Sequence, residues 1–219
     1  MSEDHLLSYY GRRAREYDRI YEKPERQADL RRMRLWIQEE MNHKDILEVA
    51  CGTGYWTQRL AQVASSITAL DASSEVLEIA RQKEYPLNRV HFLQADAFRL
   101  DDVAGHFGAV FAGFWFSHVR RQEQESFLRS LHRKLRANGK VVMIDNRYVK
   151  GSSTPIARSD ADGNTYQIRT LADGSHHEVL KNFPTAVELR SLLGALSSDH
   201  TIKEFDYYWG VSYVVGEPV

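Results

Sequence analysis

The sequence predicts a doubly wound α/β domain on a mostly parallel sheet, closed by antiparallel C-terminal strands at residues 201–208 and 209–215. Three observations support this. A short apolar run at 46–49 reads as a buried strand, a small-residue turn follows at 50–54, and residues 55–63 carry apolar positions at helical spacing. A second apolar run at 67–70 then closes on an acid, Asp71. The chain has 219 residues, of which 42% are hydrophobic, which suits one sizeable core and one domain.

The turn Ala50-Cys51-Gly52-Thr53-Gly54 sits at a strand's carboxyl end, where open α/β sheets bind ligands. Gly52 and Gly54 lack the Cβ atoms that would hold a ligand away from the backbone, and they permit positive φ. One helix and one return strand separate Gly52 from Asp71, which brings a carboxylate to the same crevice, where it accepts ribose hydroxyls. A dinucleotide needs a third glycine near the helix start. Here that position is Thr57, preceded by the bulky Tyr55 and Trp56. Glu48, ahead of the turn, repels phosphate and attracts an ammonium, so a nucleoside ligand with an amino-acid end is favoured over a nicotinamide dinucleotide.

Bulk composition narrows the setting. A formal net charge of −1 supplies no global attraction to nucleic acid, and no apolar run has the length of a membrane span or the form of a signal peptide, so a soluble cytoplasmic protein is expected. Cys51 is the only cysteine, which excludes an intramolecular disulfide and suggests a small residue accommodated in a tight turn.

With the acid at Glu48, three intervening residues, Gly52, any residue and Gly54, the chain resembles the class I S-adenosylmethionine-dependent methyltransferases of the small-molecule type. The resemblance runs through nearly the whole sequence and implies a Rossmann-like, seven-stranded sheet. It makes 90–98 the third strand, with Asp96, Ala97 and Phe98 framing adenine, and 108–114 the fourth, ending at Gly113 under the methionine arm. It makes 135–144 the approach to the fifth, with Asn138 where proline or glycine is usual. The implied cofactor is S-adenosylmethionine, leaving as S-adenosylhomocysteine, with Ala50, Ala72 and Asp71 completing its site.

The remaining segments divide into an N-terminal helical lid (1–43), the cofactor-binding core (44–147), a loop and β-hairpin insertion (148–184) and a C-terminal helix with strands (185–219). The lid reads as two helices parted near Pro24. By resemblance to the leading helix of many small-molecule methyltransferases, Tyr9 and Tyr17 face the methionine end, Arg13 pairs with its carboxylate and Tyr10 meets the substrate. The alternative is that these tyrosines pack and the arginines form a solvated face. Interleaved acids such as Glu16, Asp18 and Glu22 weaken any phosphate-tracking stripe, so nucleic acid is not an expected partner.

In the insertion, Asp173-Gly174 between two β-prone runs marks a hairpin, suited to a lid, a substrate wall or a homodimer contact. Neighbours in a strand point to opposite faces, so His176 and His177 do not form a metal pair, and no metal is expected. The string Gly113-Phe114-Trp115-Phe116-Ser117-His118-Val119 carries the candidate chemistry. His118 is suited to general-base catalysis, Phe114 and Trp115 to an apolar substrate wall, and Arg147 to further substrate contact; alternatively Ser117 and His118 cap the following helix. Much of the acceleration of an in-line methyl transfer comes from alignment. The expected activity is transfer to a small aromatic or heterocyclic oxygen or nitrogen acceptor. Action on RNA or protein, a nicotinamide-dependent oxidation and a non-enzymatic cofactor-binding regulator are the alternatives.

Overall fold

The computed structural model describes residues 14–86, 89–171, 173–194, 196–197 and 199–216, with side chains from residue 18 onward. Short 3-10 turns at Ala14–Tyr21 and Pro24–Arg26 lead into α1 (Gln27–Glu40). Then come β1 (Asp45–Val49), α2 (Tyr55–Leu60), β2 (Ser66–Asp71), α3 (Ser74–Arg81), β3 (Val90–Gln94) and β4 (Phe107–Gly113). A 3-10 turn, Phe116–His118, precedes α4 (Gln124–Arg133) and β5 (Leu135–Asn146). The insertion contains β6 (Arg158–Ser159), β7 (Thr165–Thr170) and β8 (His176–Leu180); α5 (Ala186–Gly194), β9 (His200–Glu204) and β10 (Tyr208–Val214) complete the chain.

The main sheet has seven strands in the order β3-β2-β1-β4-β5-β10-β9, parallel from β3 to β5. β10 runs antiparallel to both β5 and β9, as expected. Successive strand residues feed opposite faces. Ile46, Ala69, Ala109, Phe111, Val142 and Ile144 pack under Met33, Trp36 and Ile37 of α1 and Trp56 and Leu60 of α2. Leu47, Val49, Leu70, Val110, Val141 and Met143 pack under Phe127, Leu128 and Leu131 of α4 and Leu189 and Leu193 of α5. Burial on both faces makes the central strands read as unbroken apolar runs.

Several boundaries differ from the sequence reading. β3 stops at Gln94, because Asp96 turns the chain by accepting the Phe98 amide at 2.8 Å. The hairpin forms, but Arg158–Ser159 adds a third strand, paired with β7 through Tyr166 and Thr165. Asn138 adopts φ of +59°, a left-handed conformation that asparagine, like glycine, enters more readily than most residues and that proline, with its φ held negative by the ring, cannot take. Among the described residues, no helix is long and apolar enough to cross a membrane.

Candidate functional site

The crevice at the carboxyl end of β1 is shaped by left-handed backbone at Ala50 (φ +53°), Gly52 (+55°) and Gly54 (+78°). The space where a Gly52 Cβ would sit is open, whereas one on Gly54 would collide with the Tyr85 hydroxyl. Asp71 ties the turn to the next helix: one carboxylate oxygen accepts the Gly52 amide at 2.9 Å and the other the Ser73 amide at 3.0 Å. Ala72 accepts a hydrogen bond from Gln94 through its carbonyl. Ala97 is buried behind Asp96, and the Phe98 ring lies 5.5 Å from that of Trp115. At Gly113, a Cβ would press on the Phe111 ring at 3.0 Å.

Glu48 is the anomaly of this crevice. It is buried within β1, and its Oε2 has no hydrogen-bond partner among the described residues. Burial pushes its pKa up to about 8, with the Thr57 hydroxyl opposing the rise and the Asp71 charge adding to it. An orphaned buried carboxyl oxygen is costly unless a ligand pairs with it. Cys51 beside it is no nucleophile, since burial pushes its thiol well above the ordinary range.

A second cavity, of about 150 Å³, opens past the end of β4. The N-terminal segment contributes Ile20, Lys23 and Arg26, the β4 turn Phe114 and His118, and β5 Asn146. The insertion supplies Ser152, Ser153, Thr154, Gln167, Arg169, Lys181 and Phe183. Arg26 is only 8% exposed; it lies over the rings of Tyr207 and Tyr208 and donates to Asn146 Oδ1 (3.3 Å) and Ser152 Oγ (3.0 Å). Its Nε is buried without a partner among the described residues. Arg169 donates to Thr154 Oγ1 at 3.0 Å and to Gln167 Oε1 at 2.6 Å.

Beneath the cavity, Lys181 Nζ donates to Ser117 Oγ at 2.5 Å and to Asp145 Oδ1 at 2.9 Å. His118 Nδ1 lies 2.7 Å from the Leu180 carbonyl, which can only accept, so Nδ1 carries the proton of the neutral ring. Burial, reinforced by the Lys181 charge, pushes the His118 pKa down to about 3.

The N-terminal segment spans both regions. Asp18 accepts hydrogen bonds from Thr53 Oγ1 (2.5 Å) and Lys83 Nζ (2.7 Å), and the Tyr21 ring stacks on Tyr55 at 3.6 Å. Tyr9, Tyr10 and Arg13, and the side chain of Tyr17, lie outside the described residues.

Of the expected substrate residues described, Phe114 lines the cavity, as does His118, the expected base, while Trp115 and Arg147 do not. Trp115 packs against Phe98 and His118 instead. Arg147 donates to the Phe205 carbonyl at 2.6 Å, because successive residues of an extended chain project to opposite sides and Asn146 takes the cavity side. Neither Ser117 nor His118 caps a helix: the 3-10 turn Arg121–Glu123 and α4 that follow have Arg120 and Glu123 at their N-cap positions, and neither makes a side-chain cap. Among the described residues no group of three or more His, Cys, Asp or Glu side chains is placed to hold a metal.

Arg26, Asn146, Arg169, Lys181 and Asp145 escaped the sequence reading. The available signal was a charged residue closing an apolar run: Lys181 after Val179-Leu180, and Asp145 after residues 141–144.

A methyltransferase-domain family model matches residues 46–139, which include the whole glycine turn. The demethylmenaquinone methyltransferase of Staphylococcus epidermidis is 33% identical over 102 residues, 45% of this chain and 42% of its own length, so the chain matches under half of that curated relative. The solved complex of DhpI with SAH is 30% identical, covers 98% of this chain and 97% of its own, and superposes with a TM-score of 0.76. The complex of DhpI with SAM and HEP gives 28%, 97%, 98% and 0.79 for the same quantities. The 1,6-didemethyltoxoflavin N1-methyltransferase of Burkholderia thailandensis shares the fold, with 15% identity, 98% and 88% coverage and a TM-score of 0.64. Full-length similarity to DhpI joins the glycine turn, the orphaned acid and the seven-strand order in one conclusion: this chain belongs to the class I S-adenosylmethionine-dependent methyltransferases.

Proposed function

We propose that this protein transfers the methyl group of S-adenosylmethionine to an oxygen of a small acceptor that is already ionised at neutral pH. The observation that carries the reading is the charge of the second cavity: Lys23, Arg26, Arg169 and Lys181 line it, and Arg26 Nε has no partner among the described residues. Such cations suit a carboxylate- or phosphate-like oxyanion.

The cofactor fits the crevice residues. Glu48 Oε2 has no hydrogen-bond partner among the described residues and would take the ammonium, Gly52 leaves the space a side chain would fill, Asp71 would hold the ribose, and Ala97 and Phe98 would frame adenine. When bound, the sulfonium supplies an activated methyl group that needs only an aligned nucleophile. Arg26, Arg169 and Lys181 hold and orient that nucleophile, and Phe114 and Ile20 limit access of water. His118, neutral and with its pKa near 3, is a weak base. An ionised acceptor requires none, so His118 orients rather than deprotonates.

The aromatic or heterocyclic acceptor suggested by the Phe-Trp-Phe string keeps the ring faces of Phe114 and Phe183, but Trp115 is off the wall and polar groups outnumber rings. The insertion contributes Gln167, Arg169 and Lys181 to its own chain's cavity, which supports a substrate wall ahead of a homodimer contact.

Calorimetric titration tests the reading. Micromolar binding of S-adenosylmethionine and S-adenosylhomocysteine, with none of a nicotinamide dinucleotide, is expected; the reverse pattern overturns it. Asp71→Ala should weaken cofactor binding by about 1.5–3 kcal/mol, the worth of a hydrogen bond to a charged group, and unchanged affinity would remove the ribose assignment.

A further inference from the structure

We infer that Asp145 is a positioning residue for acceptor binding, acting through Lys181: one fully buried carboxylate fixes both the ammonium that faces the cavity and the turn that carries His118. The inference rests on the ionised-acceptor reading above.

Asp145 stands near the carboxyl end of β5, has no exposed surface and does not line the cavity, so it acts only through its neighbours. Its Oδ2 accepts the Ser117 amide at 2.9 Å, and its Oδ1 accepts Lys181 Nζ at 2.9 Å and the Asn146 amide at 2.7 Å. The same two segments are joined a second time, since the Asn182 amide donates to the Ser117 carbonyl at 2.8 Å. Lys181, 5% exposed, therefore sits where two elements and one carboxylate define its place.

Charge explains why an acid is needed. A buried ammonium is strongly disfavoured without a counter-charge. The other charged or titratable side chains that line this cavity are His118 from the β4 turn, Arg169 from β7, and Lys23 and Arg26 from the N-terminal segment, and none is an acid. Glu25, itself exposed, accepts from the lining Ser152 Oγ at 3.3 Å, on the side of Lys23 and Arg26. Burial drives the Asp145 carboxyl upward, but the Lys181 ammonium and the Ser117 and Asn146 amides outweigh that and hold it below the ordinary range, so it stays ionised. With Asp145 in place, Lys181 meets the acceptor as a cation already oriented, and no rearrangement is required when the anion arrives.

The test is a double-mutant cycle on Asp145→Asn and Lys181→Met, read as acceptor KM and kcat across pH, with cofactor affinity by calorimetry and the Lys181 pKa by carbon-13 NMR of the lysine ε-carbons. Asp145→Asn keeps the side-chain shape and removes the counter-charge. Its expected effect is a Lys181 pKa lower by at least about one unit, the alkaline limb of kcat/KM moved toward neutrality by the same amount, and kcat/KM at neutral pH down by about 10- to 100-fold, with cofactor affinity retained. On the Lys181→Met background the same change should cost less than about threefold, because its target is gone. Equal losses on both backgrounds, or an unmoved alkaline limb and Lys181 pKa, would make Asp145 merely structural and overturn the inference. Should Asp145→Asn fail to fold, the double variant, which removes both charges, is compared with Lys181→Met alone, and an added loss of tenfold or more overturns it likewise. If the wild type methylates no ionised acceptor, the proposed function fails, while the NMR titration still decides whether Asp145 sets the charge of Lys181.

Discussion

Arg26→Met is expected to raise the acceptor KM by about 10- to 100-fold while leaving cofactor affinity within about twofold, since a hydrogen bond to a charged group is worth roughly 1.5–3 kcal/mol. Methionine keeps an apolar stem against Tyr207 and Tyr208, over which the guanidinium now lies at 5.2 and 5.6 Å. The change therefore isolates the charge and its donors. It also frees Ser152 and Asn146, the two residues through which Arg26 holds the start of the insertion and the end of β5. Arg26→Lys should recover little, because a point charge cannot reach both partners and the cavity from a planar fork. Steady-state kinetics with an ionised acceptor at saturating cofactor checks this; an unchanged KM would remove Arg26 from the acceptor site.

Glu48→Gln is expected to weaken cofactor binding by a similar order, about 1.5–3 kcal/mol, and to change how both binding and stability depend on pH. In the cofactor-free protein the carboxyl titrates near 8 instead of its ordinary 4.5. Between those values the folded state holds a proton that the unfolded chain has lost, so stability falls as pH rises through the window, by up to about 1.4 kcal/mol per unit. Glutamine carries no such proton and should flatten that slope in unfolding titrations run without cofactor. Binding has the opposite dependence. Pairing with an ammonium requires the ionised carboxylate, so affinity should climb toward pH 8 and binding near neutrality should release a proton. Calorimetry in buffers of different ionisation enthalpy detects the release; the same heat in every buffer would mean that Glu48 does not meet the ammonium.

How much of this was legible beforehand depended on distance along the chain. Glu48, Gly52, Gly54 and Asp71 lie within one strand-turn-helix-strand unit, and that unit has few ways to fold, so their convergence could be read from spacing alone. The acceptor cavity is different in kind. Arg26, Asn146, Ser152, Arg169 and Lys181 meet only because the N-terminal segment crosses the sheet and the insertion folds back on the β4 turn. No local periodicity encodes that meeting. Trp115 and Arg147 are one position away from side chains that do line the cavity, Phe114 and Asn146: a single step along the extended chain at 146–147 reverses the side on which a side chain emerges, whereas at 114–115 the strand has ended and the left-handed Phe114 (φ +62°) turns the chain. The strand Arg158–Ser159 was missed because two exposed residues carry no alternation to detect; its pairing is set by its neighbour β7.

The charge of the acceptor is the point on which the functional reading stands. Transfer of a labelled methyl group from S-adenosylmethionine to matched pairs of small acceptors, each pair differing only in whether the receiving oxygen belongs to an ionised acid or to a neutral alcohol of the same shape, decides it. Labelling of the ionised member, falling with salt as screening weakens its hold on Lys23, Arg26, Arg169 and Lys181, is the expected result. Equal or faster labelling of the neutral alcohol would contradict it and return His118 to the role of base.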